Sequence, residues 1–368
     1  PDFGKENYHV SLDDKAATRM AGATAPNLAQ NTVARTRIAS LDFLKFIAVC
    51  AVVGIHAPDA ITHRALVWQV LNQLFRFAVP CFFLISGFLF MHSFESSLDK
   101  DRVILRYGQR IIIPFLLWSL FYAVVPPFIS GASEGTLVAI GQHLWAIVHY
   151  PHSFLLTGFV YHLWFLSSLG QALLILWFCL RILDLQAALL AGAGLYSIAL
   201  LGGPYAQTFI GFHSHFYLRH GPFFSALFVA IGAWLAKSGF RCSSREAAMV
   251  LCAGLLLHAC EVYFLYYRYG QPIRNHDFVC GTVPFAVGAM LWALSLPDFA
   301  GPFGLARLGT YSLGIYAIHP YVIELLQGWF SSEALSCPPA VFESLVLVSS
   351  ICFALCISRI KWARPVVV

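Results

Sequence analysis

Lys45 and His56 lie eleven residues apart in an apolar run that extends from Ser40 to His56. At about 100° per residue, eleven steps make about 1100°, close to three full turns, so on a helix the two side chains share one face. At about 1.5 Å per residue they stand about 16 Å apart along the axis, near half a hydrocarbon core. A cation at one mouth and a titratable base deep in a membrane, aligned on one wall, suit chemistry conducted through a bilayer, where ionisable groups are costly and usually functional. The plainer alternative is that Lys45 snorkels to the interface and His56 only ends the helix. Asp42, three residues before Lys45, can pair with it at the mouth. It is too far along the axis to orient His56, so any partner for that imidazole must come from another span.

Two further basic groups stand in apolar surroundings. Arg76 precedes Pro80 in a second apolar block and needs a counter-charge, or carbonyls freed by the proline. Arg106 and Arg110 are four apart, hence on one helix face, with Lys100 and Arg102 nearby. Such a cluster either anchors topology or holds a multiply charged phosphate ligand.

The elements that must position these residues are membrane helices. The chain has 368 residues, 59% hydrophobic and only 11% charged, against about 25% charged in soluble domains. Its apolar residues form ten long blocks, at about 39–57, 66–90, 111–130, 162–183, 185–202, 221–237, 247–265, 278–297, 308–326 and 342–360. The second is long enough to tilt. The expected fold is therefore all-α, a polytopic protein with about ten transmembrane helices. One set of loops carries fourteen Lys or Arg residues, among them Lys100, Arg102, Arg106 and Arg110, and the opposite set only Arg64, Arg219, Arg268 and Arg274. That bias predicts that both termini are cytoplasmic. It also accounts for the net charge of +5 without a nucleic-acid partner. Residues 1–36 are polar, mixed in charge and without the apolar core of a signal peptide, and read as a disordered cytoplasmic tail before a transmembrane domain at 37–368.

The ten cysteines show no metal-ligand spacing, and most lie inside apolar blocks as small hydrophobes. Cys280 and Cys337 fall near one membrane surface, where a bridge stays open. Three loops on the far side, about 131–161, 203–220 and 266–277, combine aromatic rings with Arg, Asn and Asp that could stack on and hydrogen-bond a sugar, or form an interfacial aromatic belt. No internal repeat of the transporter kind is visible.

Together these residues resemble the acyltransferase 3 family of membrane O-acyltransferases. Leu41-Asp42-Phe43-Leu44-Lys45, followed by His56, is similar to the motif of its first span, with Lys where Arg is usual. The stretch from Val79-Pro80 to Ser86-Gly87-Phe88 resembles its second span, and Arg106 and Arg110 before Pro114-Phe115 its basic cytoplasmic motif. His162-Leu163-Trp164-Phe165-Leu166 and the run from Tyr311 to His319-Pro320 resemble later signatures, so the likeness extends from about 37 to 325. A Lys at 45 keeps the charge of the usual Arg but not its bidentate fork.

The resemblance implies transfer of an acyl group, most often acetyl from acetyl-CoA, to a glycan hydroxyl at a bacterial inner membrane. On that reading Lys45, Arg106, Arg110 and Asp42 form the acyl-CoA mouth, and His56 is the general base. Arg76, or failing it the Ser86-Gly87 backbone, stabilises the oxyanion. His162, Trp164 and His319 contact the acceptor. Glu261 and Glu324 stay unassigned, and His258 is structural. No metal is expected. With only about eight residues after the last block, a lipid-linked saccharide or exopolysaccharide unit is the expected acceptor. Succinyl in place of acetyl stays open. A transporter of a small anion or acyl donor is the rival reading, as is a membrane sensor without catalysis.

Overall fold

A computed structural model describes residues 37–57, 66–125, 136–333 and 337–368. The tail at 1–36 and Arg64 lie outside the described residues. Ile38–Val368 forms one compact unit. Its α-helices are Ala39–His56 (α1), Leu66–Leu74 (α2), Ala78–Ser96 (α3), Lys100–Val124 (α4), Thr136–His149 (α5), Pro151–Thr157 (α6), Trp164–Ile182 (α7), Leu185–Gly202 (α8), Pro222–Ser238 (α9), Ser244–Tyr269 (α10), Thr282–Ser295 (α11), Ser312–Ser332 (α12) and Pro339–Ser358 (α13). The described residues contain no strand.

Among the described residues, each of the ten apolar blocks overlaps a helical stretch. Seven stretches are long and apolar enough to cross a membrane: α1, α2–α3 together, α4, Tyr161–Ile182, α8, α10 and α13. Helices α9 and α11 are apolar but shorter, and α12 carries His319, Glu324 and Gln327. Helix α4 shows what faces lipid. Ile112, Leu116 and Leu120, spaced by four, are 57, 50 and 58% exposed, an apolar stripe that water would disfavour. The third block begins eleven residues earlier than its hydropathy suggests, because Asp99 caps α4 by accepting from the Arg102 N–H at 2.9 Å. The far loop at 131–161 contains α5 and α6. All ten cysteines are free, Cys280 and Cys337 included.

Helix α1 is the most enclosed of the seven candidate spans. Its first turn is tied to the end of α11: the Ser40 hydroxyl donates to the Ala293 carbonyl at 2.6 Å and the Ser40 N–H to the Pro297 carbonyl at 3.2 Å. At its other end Asn72 donates to the Ile55 carbonyl at 3.1 Å, satisfying one of the acceptors that a helix end leaves open. Helices α3 and α9 pack backbone to backbone. A Cβ on Gly87 would strike the Val229 carbonyl and one on Gly232 the Leu84 carbonyl. In lipid, where apolar side chains gain little from meeting one another, such small-residue contacts hold helices together. Gly87 therefore packs in mid-helix and its N–H belongs to the α3 hydrogen-bond ladder, so the Ser86-Gly87 backbone is not an oxyanion hole.

The second block departs most from its sequence reading. Leu66–Ser96 is still one candidate span, but a turn interrupts it: α2 stops at Leu74, Phe75-Arg76-Phe77 form the turn, and α3 begins at Ala78. Pro80 supplies the cause, since it cannot donate to the Arg76 carbonyl four residues back but fits the first turn of a new helix. The polar groups at the break all bond across to other segments. Asn72 reaches α1, Gln73 donates to the Ile273 carbonyl at 2.8 Å, and Arg76 reaches the loop before α11.

Candidate active site

The break between α2 and α3 presents Arg76 to the loop 270–281. Its Nη1 donates to Asp277 Oδ1 at 2.6 Å and its Nη2 to the Arg274 carbonyl at 3.1 Å. The other Asp277 oxygen accepts from Arg219, in the loop after α8. Asp277 is thus the counter-charge that an arginine in an apolar block requires. Burial alone would raise its carboxyl, but Arg76 and then Arg219 outweigh burial and hold it below its ordinary value. The Arg219 guanidinium lies over the rings of Trp164, at 5.1 Å, and Tyr217, at 4.9 Å. Trp164 in turn stacks on His220. Burial, then Arg219, push His220 down to about 4.

Beside this ion-pair bridge stand three histidines from three helical segments. The rings of His56 and His319 stack, with centroids 5.4 Å apart, and His162 meets His319 edge-on at 5.8 Å. His319 Nδ1 lies 2.6 Å from the Tyr316 carbonyl and His162 Nε2 lies 3.2 Å from the Ala317 carbonyl. A carbonyl only accepts, so each of those nitrogens carries the proton and the other nitrogen of each ring keeps a lone pair. Those two, His319 Nε2 and His162 Nδ1, are buried without a hydrogen-bond partner among the described residues. Tyr122 donates to the same Ala317 carbonyl at 2.7 Å, and Tyr316 donates to the His162 carbonyl. The Tyr161 hydroxyl stands 3.5 Å from His56 Nδ1. His56 is half-buried.

A central cavity of about 60 Å³ is lined by His56, Arg76, Tyr161, His162, Trp164, Arg219, Asp277 and Tyr316. A larger and mainly apolar cavity, about 220 Å³, is lined by Lys45, Ser86, Tyr107, Arg110 and Ser312 with a hydrophobic wall. The two share Val52, Val79, Phe165 and Tyr316. Lys45, Val52 and His56 thus form one face of α1 that walls both chambers, as the eleven-residue spacing requires.

Of the residues selected from sequence, His56, Arg76, His162 and Trp164 line the central chamber, and His319 stacks against it. His162 is 2% exposed and His319 fully buried, so both serve as inner wall more than as open contact. Lys45 and Arg110 line the second cavity, and Asp42 bonds Lys45 at 2.5 Å. Arg106 is exposed on α4 and does not line that cavity. His258 donates or accepts at both nitrogens, 3.1 Å from the Thr282 hydroxyl and 3.0 Å from Gln73 Oε1, which is a structural role. Glu261 is also structural, bonding the Tyr205 hydroxyl and the Gly281 N–H. The residues missed by sequence reasoning are Asp277 as partner of Arg76, and Tyr122 and Tyr316 around His162. The need of Arg76 for a counter-charge was the available signal for the first.

Comparison with known proteins places the chain. A serine/alanine racemase of Enterococcus gallinarum is 26% identical over 303 residues, which cover 77% of this chain and 40% of that protein. An amino-acid racemase of Enterococcus faecalis is 21% identical over 305 residues, 79% of this chain and 42% of its own length. The chain thus spans about two fifths of these curated relatives. No solved structure matches it. The acyltransferase domain that defines Acyl_transf_3 matches residues 38–359, a stretch that holds both cavities and all three histidines. The chain belongs to the acyltransferase 3 family.

Proposed function

We propose that this protein is a membrane O-acyltransferase that moves an acetyl group from cytoplasmic acetyl-CoA to a hydroxyl of a cell-surface or exopolysaccharide glycan, with His56 as general base. The observation that carries this reading is the shared wall of the two cavities, which joins a chamber edged by Lys45 and Arg110 to the one that contains His56. Polyanionic CoA would rest its phosphates on Lys45 and Arg110 at the cytoplasmic mouth. Its pantetheine arm suits the apolar walls, and the thioester would end beside His56. In this arrangement ten helical stretches cross the membrane and both termini are cytoplasmic, in keeping with the Lys and Arg bias of the loops.

The chemistry then follows. His56 takes the proton of the acceptor hydroxyl as its oxygen attacks the thioester carbonyl. The carbon–sulfur bond breaks, and the thiolate leaves with the proton that the imidazole held, giving an ester and free CoA. General-base help of this kind accounts for a factor of about 10² to 10⁴. Arg76 already bonds Asp277 and the Arg274 carbonyl, so its help to the oxyanion is that of a fixed charge in a water-poor chamber. His319 and His162 position the base. The racemase names belong to proteins more than twice as long as the matched segment, and we carry no racemase activity over.

Thiol release from acetyl-CoA by the purified protein in lipid tests the reading, wild type against His56→Ala, with and without a polyprenyl-linked glycan extract. Release stimulated by the extract and lost in the variant supports it. Equal release from both proteins, with acetyl-CoA bound, removes His56 from the mechanism and favours transport.

A further inference from the structure

A third cavity, about 370 Å³, lies beyond the His56 chamber, between residues 202–219 after α8 and residues 270–278 before α11. Its lining is more polar than apolar and includes Gln207, Ser214, Gln271, Asn275 and His276. It meets the His56 chamber at Arg219 and Asp277, which line both.

Three of its lining side chains, Arg219 at Nε, Gln271 and His276, carry buried polar atoms without a partner among the described residues. His276 is 1% exposed and neither ring nitrogen is hydrogen-bonded; Gln271 Nε2 is buried and likewise unmatched. Buried polar groups in a folded protein are normally satisfied, and a cavity lined by unsatisfied ones suits a ligand that completes them. Burial, then Arg76, push His276 down to about 4, so at neutral pH its ring offers one donor and one acceptor. At the edge the guanidiniums of Arg76 and Arg219 are both engaged by the one carboxylate of Asp277, so neither presents a free fork to the cavity. Amides, a hydroxyl, a neutral imidazole and the single Arg219 Nε–H remain. That set fits vicinal hydroxyls better than a carboxylate or phosphate, which favours an Arg or Lys fork of its own. The volume suits about one or two pyranose rings.

We propose that this cavity is the acceptor site, binding an uncharged saccharide through Gln271 and His276 and presenting its reacting hydroxyl across the Arg219–Asp277 bridge to His56. This rests on the acyltransferase reading. It moves acceptor recognition from His162, Trp164 and His319, which wall the reaction chamber, to the two loops.

The test is saturation-transfer NMR on the full protein in lipid nanodiscs, with methyl glycosides of glucose, galactose, mannose, N-acetylglucosamine and glucuronic acid as probes. Acetyl-CoA binding is measured by calorimetry on the same samples. At least one neutral glycoside binds saturably, and its affinity falls about tenfold or more in His276→Phe and in Gln271→Leu, while Gly194→Ala, at a position with open space around it, leaves it unchanged and acetyl-CoA binding is equal in all. Binding of no glycoside, preference for the glucuronide, or equal binding by both variants overturns the proposal. Gln271 is only partly buried, so its variant keeps the test decisive if His276→Phe does not fold. Glycoside binding through these residues without acetyl-CoA binding or cleavage retains the saccharide site and removes the acyl-transfer reading. Acetyl-CoA cleavage without glycoside binding does the reverse.

Discussion

The imidazole of His319 lies stacked on that of His56, with planes 26° from parallel. The residue after His319 explains how the ring is held. Pro320 has no N–H, so the Tyr316 carbonyl four residues back loses its helical donor, and His319 Nδ1–H takes that place at 2.6 Å. One proline thereby fixes a tautomer and leaves Nε2 as an acceptor inside the histidine cluster. Pro320→Ala returns the backbone donor and releases the ring. The expected result is a fall in kcat of about tenfold, or about 1.4 kcal/mol, a shifted pH–rate profile and an unchanged KM for acetyl-CoA. An unaltered profile would reduce His319 to a packing residue.

Lys45 and Arg110 line the same cavity and Arg106 does not. Loss of one charge-assisted hydrogen bond costs about 1.5–3 kcal/mol. Lys45→Met and Arg110→Met are therefore each expected to raise the KM for acetyl-CoA by about 10- to 100-fold, Lys45→Arg to preserve it, and Arg106→Met to change it little. Initial rates at varied acetyl-CoA separate these cases, and an effect of Arg106 equal to that of Arg110 would count against the mouth as drawn.

Asp277 bonds two arginines with its side chain only 17% exposed. Asp277→Asn leaves Arg76 and Arg219 facing each other without a carboxylate, at a cost of about 3–5 kcal/mol. A lower thermal midpoint in lipid is the expected outcome. Adding Arg219→Gln should recover part of the loss, since the double variant removes the repulsion that the single one creates.

Acid stability carries a defined sign. His220 and His276 sit near 4 in the folded protein against about 6.5 unfolded. Between those values the unfolded chain binds more protons, so stability falls as pH drops from about 6.5 to about 4 and then levels off for these two groups. Asp277 acts lower down: its depressed carboxyl contributes fully above about 3.9, and that contribution is lost as pH falls through its folded value. Thermal midpoints across pH 3.5 to 7.5 should therefore decline first in the histidine window, and less steeply in His276→Phe.

Gly232 meets the Leu84 carbonyl with no room for a Cβ. Gly232→Leu is expected to cost about 3 kcal/mol or more through forced separation of α3 and α9, read as lost monodisperse protein after extraction. Gly194, with open space around it, should accept Ala without that effect.

Local chemistry made several features legible in the residue order. The shared face of Lys45 and His56 follows from helical periodicity, and α1 runs from Ala39 to His56 as the apolar run implies. The apolar blocks could only be helices in a bilayer, because only there can the backbone satisfy itself within one segment. The motifs around Lys45, Pro80, Trp164 and His319 were enough to suggest the family, which the domain match supports independently.

What decided the site was tertiary. Pro80 announces a disturbance near Arg76, but the choice between a tilt and a break depends on partners for Asn72, Gln73 and Arg76 that come from α1 and the loop 270–281. His56, His162 and His319 share no local pattern. They meet because whole helices pack at fixed angles and registers. Gly309, three residues before α12, lies so close to the Asp42 carbonyl of α1 that a Cβ there would clash, and His319 stacks on His56 further along the same two helices. Periodicity acts over a few residues and sets which face a side chain occupies. The identity of the neighbour on that face is set by interhelical packing, which no short window of sequence contains.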